Sequence, residues 1–315
     1  MRGARPQLAL ERDVAERVNA RPGELLVAAV SGGADSAALA ALLAEAARDR
    51  EARVLIAHVN HATRESAWQD EAVVLAIASA LDVPAAVRQA APGPPAEARL
   101  REERYRLLSA VARERGATRI FTAHHAGDQT ETVLLALFRG TGPAGAAGMP
   151  ERRELGGGLT LERPLLRASK ASLAAYGAAR RLPYAVDPTN ADPGYRRNAV
   201  RLALEQVRPA FPGLDEAVAR FAAILAESEG ERGKLRDTLR NEIAGSADVK
   251  NVTFERLDAA ARAIERGDRG RIFLAPGIEI ELTGGRVFPA ETSKSIAPHL
   301  SPSPEGLSDA ASGRE

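Results

Sequence analysis

Three short stretches hold most of the residues whose types and spacing can do chemistry. The first is Ser31-Gly32-Gly33-Ala34-Asp35-Ser36, which packs two hydroxyls, two glycines and a carboxylate into six positions. Glycines let backbone N–H groups approach a phosphate, and a helix start behind them adds unpaired donors and a favourable dipole. Ser31 and Ser36 add hydroxyl donors. Asp35 would repel a bare phosphate, so its place is with a Mg²⁺ ion that neutralises the pair. The second stretch runs from His58 through Asn60 and His61 to Arg64, and the third from Thr122 to Thr132. In the third, Asp128 and Glu131 stand three apart at a helix start and so share a face. Such carboxylates cap the helix, hold Mg²⁺ or take a substrate amine. Four of the five histidines, His58, His61, His124 and His125, fall in these two stretches. Their spacing matches no chelate pattern. They read as nucleotide contacts or structural groups rather than a transition-metal site.

Each stretch follows an apolar run that reads as a buried strand: Leu25–Val30, Arg53–Val59 and Thr118–Ala123. Ala85–Gln89 and Leu159–Leu166 add two more. Helical patterns alternate with them over 8–19, 36–50, 66–81, 97–116, 128–139, 169–181 and 195–204. This alternation predicts an α/β fold, a doubly wound parallel sheet. Ligands of such sheets bind beyond the carboxyl ends of the strands, which sends all three stretches to one cleft. The glycine- and alanine-rich run Arg139–Pro150 reads as a flexible lid or substrate loop. Pro209–Gly213 marks a boundary. Beyond it, helices over 214–225, 235–243 and 254–265 precede short strands over 271–273, 278–282 and 286–288. The expected domains are therefore 1–208, a smaller helical and mixed unit 209–289, and a disordered Ser- and Pro-rich tail 290–315.

The chain has 315 residues, a net charge of +1 and no cysteine. Disulfides, thiolate metal sites and covalent thiol chemistry are excluded. No apolar run reaches membrane-spanning length, and the first residues lead into a charged helix, so a soluble, cytoplasmic protein is expected. A Walker A loop is absent, because the only Gly-Lys pair, Gly233-Lys234, has no strand before it. Gly140 to Gly145 formally matches GxGxxG but follows a helix, which rejects a dinucleotide fingerprint. Basic charge is local. From Arg139 to Arg208 there are twelve Lys or Arg against six Asp or Glu, including the pairs Arg152-Arg153, Arg180-Arg181 and Arg196-Arg197. Such a patch suits phosphate binding. Arg101 and Arg104 share a helix face, and Tyr105 beside them reads equally as a base-stacking or a core residue.

The first stretch resembles the SGGxDS loop of the PP-loop ATP pyrophosphatases, a Rossmann-like group that cuts ATP between its α- and β-phosphates. SGGADS, HVNHATR, the Glu97–Tyr105 stretch, TAHHAGDQTET, the Arg139-Gly-Thr-Gly run, Arg163-Pro-Leu-Leu166 and Asp187-Pro-Thr-Asn190 with Arg197, Asn198 and Arg201 occur in the order found in tRNA(Ile)-lysidine synthetases. The resemblance spans roughly residues 20–205. It implies that ATP·Mg²⁺ adenylates C2 of the wobble cytidine of an isoleucine tRNA, and that free L-lysine then displaces AMP. It implies Asp35, Asp128, Glu131 and Arg104 as catalytic, with Asp35 toward Mg²⁺. Ser31–Ser36, His58, Asn60 and His124 fall to ATP. Arg101, Arg104, Arg139, Arg196, Arg197, Asn198 and Arg201 fall to tRNA, and a homodimer is expected. Two positions depart from the family pattern: Asn60 stands where an Asp is usual, and Gly127 where an acidic or amide residue is usual. Another PP-loop enzyme and a non-catalytic RNA-binding protein are the alternatives. The first commonly relies on cysteines that this chain lacks; the second needs neither the intact loop nor the acidic pair.

Overall fold

The structure is a computed structural model that describes residues 4–60, 67–91, 97–185, 196–244, 252–275, 278–283 and 286–289. Six strands form one sheet in the order β3-β2-β1-β4-β6-β5. They are β1 (Leu25–Ala29), β2 (Arg53–Asn60), β3 (Ala85–Gln89), β4 (Arg119–Phe121), β5 (Arg152–Glu154) and β6 (Thr160–Glu162). All pair in parallel except β5, which runs antiparallel on the edge with Arg153 opposite Leu161. Six consecutive buried residues in β2, Val54 to Val59, are what a strand covered on both faces requires.

Each face has its own core. On one, Leu26, Val54, Ile56 and Phe121 pack against α1 (Ala4–Val18), α2 (Ala34–Arg48), α3 (Ala67–Leu81) and α7 (Lys170–Ala179). The alanines of α2 are buried almost all round, which lets three neighbouring helices close on it. On the other face Val27, Leu55, Ile120 and Leu161 pack against Leu107, Leu108 and Val111 of α4 (Glu97–Glu114). The α/β, doubly wound architecture expected from the alternation is the one found.

Some elements differ from their expected form. The strand expected over 159–166 is only β6, because Arg163 and Pro164 end it. The run 139–150 contains a short helix, α6 (Pro143–Ala146), and is pinned. Gln129 donates to the Met149 carbonyl at 3.1 Å and accepts from the Met149 N–H at 2.8 Å. Helix α5 (Ala126–Leu137) starts two residues early, because His125 caps it. Helix α8 spans Arg196–Val207. The two helices expected after residue 213 are one, α9 (Leu214–Ala244), since the charged residues between them are good helix formers.

The chain divides into two compact units, residues 1–229 and 230–315, so the division falls within α9 and the expected break at 209–213 is the turn before it. The second unit holds the end of α9, α10 (Phe254–Glu265) and an antiparallel sheet of β7 (Gly270–Ala275), β8 (Ile278–Thr283) and β9 (Arg286–Pro289) around Leu257, Leu274 and Ile280. His61, Arg64, Asp187–Asn190 and the tail 290–315 lie outside the described residues. Among the described residues no helix is long and apolar enough to cross a membrane.

Candidate active site

The loop after β1 is built as the chemistry requires. Gly33 precedes α2 without a side-chain cap, so the first N–H groups of the helix stay available to an anion. Ser36 Oγ donates to the Gly33 carbonyl at 2.9 Å and lies 3.2 Å from Ser31 Oγ, which fixes both hydroxyls beside those N–H groups. Gly32 has φ +95°, a backbone conformation that glycine adopts without strain. The Ala185 N–H bonds the Gly32 carbonyl at 2.9 Å and ties the segment after α7 to the loop.

His58 is buried at the end of β2. Its Nδ1–H donates to the Val30 carbonyl at 2.8 Å, which leaves Nε2 as a buried acceptor without a partner. Asn60, half buried, reaches Glu71 at 3.5 Å.

The third stretch meets the first directly. His125 Nδ1 accepts from the Gly127 N–H at 3.0 Å, so its proton sits on Nε2. That nitrogen lies 3.6 Å from both Asp35 and Asp128. Burial opposes charging of His125, but the two carboxylates outweigh it and raise its pKa. Asp128 completes a capping box by accepting from the His125 N–H at 3.0 Å. Burial pushes its pKa up, yet His125 and Arg197 pull it further down, and the carboxylate is charged. His124 has Nδ1 2.9 Å from Thr122 Oγ1. Burial, aided by Arg163, Arg197 and Arg101, pulls it down to about 3 against the opposing effect of Asp128, so it is neutral.

Glu131 is 2% exposed. It accepts from Arg197 Nε at 2.7 Å and from Arg201 Nε and Nη2 at 2.7 and 3.1 Å. Arg197 Nη2 also donates to Asp128 at 2.9 Å. Arg197 and Arg201 of α8 therefore face the acidic pair rather than open solvent. Arg101, Arg104, Arg139 and Arg196 are exposed, and Asn198 is half buried. Gly127 has a local cause: a Cβ there would come within 2.9 Å of the capping His125 ring and 3.3 Å of Arg208. Arg208 is itself held by both oxygens of Asp215.

A group that sequence reasoning noted but gave no role is Arg163, just after β6. It is 2% exposed and donates to the Pro150 carbonyl at 2.7 Å. Beside it Tyr105, half buried against the α4 core, carries the guanidiniums of Arg153 and Arg101 over its ring at 4.9 and 5.1 Å. An Arg-Pro pair at a strand's carboxyl end was the available signal.

A family model described as the PP-loop domain matches residues 6–208. The tRNA(Ile)-lysidine synthase of Methylobacterium sp. (strain 4-46) is 40% identical over 283 residues, 84% of this chain and 80% of that one. The chain belongs to the tRNA(Ile)-lysidine synthase family. Its relative from Thermus thermophilus is 43% identical over 218 residues, and the one from Gloeobacter violaceus 39% over 211. This family member spans 41% and 65% of the lengths of those two relatives. A U34-tRNA thiolase from Methanococcus maripaludis shares the fold, with a TM-score of 0.59 at 15% identity over 70% of this chain and 78% of the thiolase.

Proposed function

We propose that this chain ligates L-lysine to C2 of the wobble cytidine of an isoleucine tRNA at the expense of ATP, through an adenylated tRNA, and that it does so in the cytoplasm as a homodimer. The observation that carries the reading is the contact between the ATP-loop carboxylate and the third motif, Asp35 to His125 at 3.6 Å. It joins two stretches about ninety residues apart beyond the carboxyl ends of the neighbouring strands β1 and β4, where a nucleotide and an amine have to meet.

In this reading Ser31–Ser36 take the ATP phosphates on hydroxyls and helix N–H groups, and His58 Nε2 offers a buried acceptor to the nucleotide. Asn60 and His124 flank it. Among the described residues no three acidic or His side chains cluster to cage a metal. One carboxylate, Asp35, its side chain 34% exposed, fits Mg²⁺ that keeps phosphate oxygens and waters as its other ligands. Bound Mg²⁺ would neutralise charge on the phosphates. Arg104 is the guanidinium proposed for the reacting phosphate. Attack of the cytidine O2 on the α-phosphate releases pyrophosphate. The neutral ε-amine of lysine then attacks C2, AMP leaves, and the amine gives up a proton. Each Asp128 oxygen is engaged by one N–H donor, so this carboxylate keeps lone-pair capacity for the amine, whereas Glu131 is close to saturated.

Incubating the full chain with isoleucine tRNA, ATP and radiolabelled lysine, and following pyrophosphate and lysine separately, tests the proposal. Label should enter tRNA only with ATP. In Asp128→Asn, pyrophosphate release should continue while incorporation slows. Pyrophosphate release without incorporation in the wild type would retire the lysine step. No release at all would retire the ligase reading.

A further inference from the structure

Buried charge is stable only when paired, and several partly buried arginines among the described residues follow that rule. Arg119 pairs with Glu24 and Glu162, Arg197 and Arg201 with the acidic pair, and Arg208 with Asp215. Arg163 is more deeply buried than any of these, yet no carboxylate among the described residues pairs with it. Its Nη1 donates to a carbonyl, a side-chain hydrogen bond joins it to Tyr105, and its buried Nε has no partner. Its neighbours make matters worse. Arg153 and Arg101, gathered on Tyr105, add like charge, and they too have no carboxylate partner among the described residues. Burial and these two arginines lower the Arg163 pKa, with Tyr105 opposing them. Three guanidiniums around one aromatic ring with no acid among them leave an anion's place open.

The side of the sheet decides which anion. Arg153 pairs with Leu161, whose side chain packs in the core under α4, and Tyr105 lies on α4 itself. Ser31–Ser36 instead lead into α2, on the opposite face. The nucleotide phosphates already have their donors there. Arg153 on the edge strand β5 and Arg101 on α4 are both exposed beside Tyr105. A polymer passing the edge can reach them. We propose that Arg163, Arg153 and Arg101 around Tyr105 form a phosphate subsite for one backbone phosphodiester of the RNA substrate. The inference rests on the tRNA reading above. Arg163 supplies a desolvated donor, and the two outer arginines steer the strand to it. Tyr105 is the positioning residue that holds both outer guanidiniums.

The test uses the full chain with isoleucine tRNA over a salt series, and ATP binding measured in parallel. Arg153→Gln and Arg163→Lys should each raise the tRNA Kd on the order of tenfold. Arg153→Gln, which removes a charge, should also reduce the steepness of log Kd against log salt by about 0.7, the loss of roughly one phosphate contact. ATP affinity should stay at the wild-type value. Arg163→Lys keeps the charge but loses the planar fork, so its Kd should rise with little change in salt slope. Arg153 is exposed, so its variant carries the test even if Arg163→Lys does not fold. Unchanged tRNA affinity and slope in folded Arg153→Gln would overturn the subsite. Weakened ATP binding with intact tRNA binding would overturn it in favour of a nucleotide phosphate. A wild-type chain that binds no tRNA would instead retire the tRNA reading, and the subsite with it.

Discussion

Glu131 and His124 are polar groups of the third stretch held in different ways. Glu131 is held by three N–H donors from α8. Glu131→Gln keeps its shape but replaces an acceptor oxygen with an NH₂ donor aimed at a guanidinium. Both arginines are partly solvated, so the expected loss is about 1–3 kcal/mol in urea unfolding rather than the larger cost of a fully buried broken pair. A variant as stable as wild type would show that α8 does not depend on this contact. His124 is kept neutral by burial, its pKa down to about 3 against about 6.5 in an unfolded chain. Between those values the unfolded state binds the extra proton. The stability present above pH 6.5 is therefore lost as pH falls toward 3. His124→Asn should flatten that acid limb in unfolding titrations from neutral to acid pH, and an equally steep limb would show that His124 charges freely in the folded protein. The motifs that place these residues are legible in the sequence. Their pairing is not. Arg197 and Arg201 lie nearly seventy residues from Glu131 and look, as a stretch of sequence, like any basic helix facing phosphate.

At the scale of elements, what is legible is what has a period. Continuous apolar runs give β1 and β2, and apolar residues recurring every three to four positions give the amphipathic helices, because burial of whole faces leaves its mark on the sequence. The edge strand β5 has three exposed charged residues and exists only because β6 offers it a ladder. Nothing local signals it. The run 139–150 reads as loose because it is rich in glycine and alanine, while its anchor is a side chain from α5. Gln129 satisfies both backbone groups of buried Met149. Gln129→Ala leaves those groups unpaired, and a loss of about 1–3 kcal/mol is expected in thermal or urea unfolding, together with faster amide exchange at Met149. Unchanged exchange there would mean that the Gln129 clamp does not hold the run.

For the whole molecule, two compact units with separate cores predict two unfolding events. Calorimetry of the full chain should resolve two transitions. A fragment of residues 1–229 should reproduce one of them and still bind ATP, since the loop and both cores of the large sheet lie within it. A single transition in the full chain, or a fragment that does not fold, would show that the units stabilise each other. The motifs place the end of the first expected domain at residue 208. The unit boundary lies further on because α9 runs unbroken across the change in composition, and helix propensity there conceals it.

The arginine pair on Asp128 and Glu131 changes what substrate selection means at this site. The acidic pair already has resident cations, so in the ligase reading an incoming ammonium takes part in an exchange, as on an ion-exchange resin, and does not fill a vacancy. Affinity then measures the difference between two cations for the same oxygens. Guanidinium ion and free arginine become natural competitors of lysine. The number of ions paired inside the protein changes little in such an exchange, so under the proposed function lysine affinity should drift only slightly with ionic strength, in contrast to tRNA affinity.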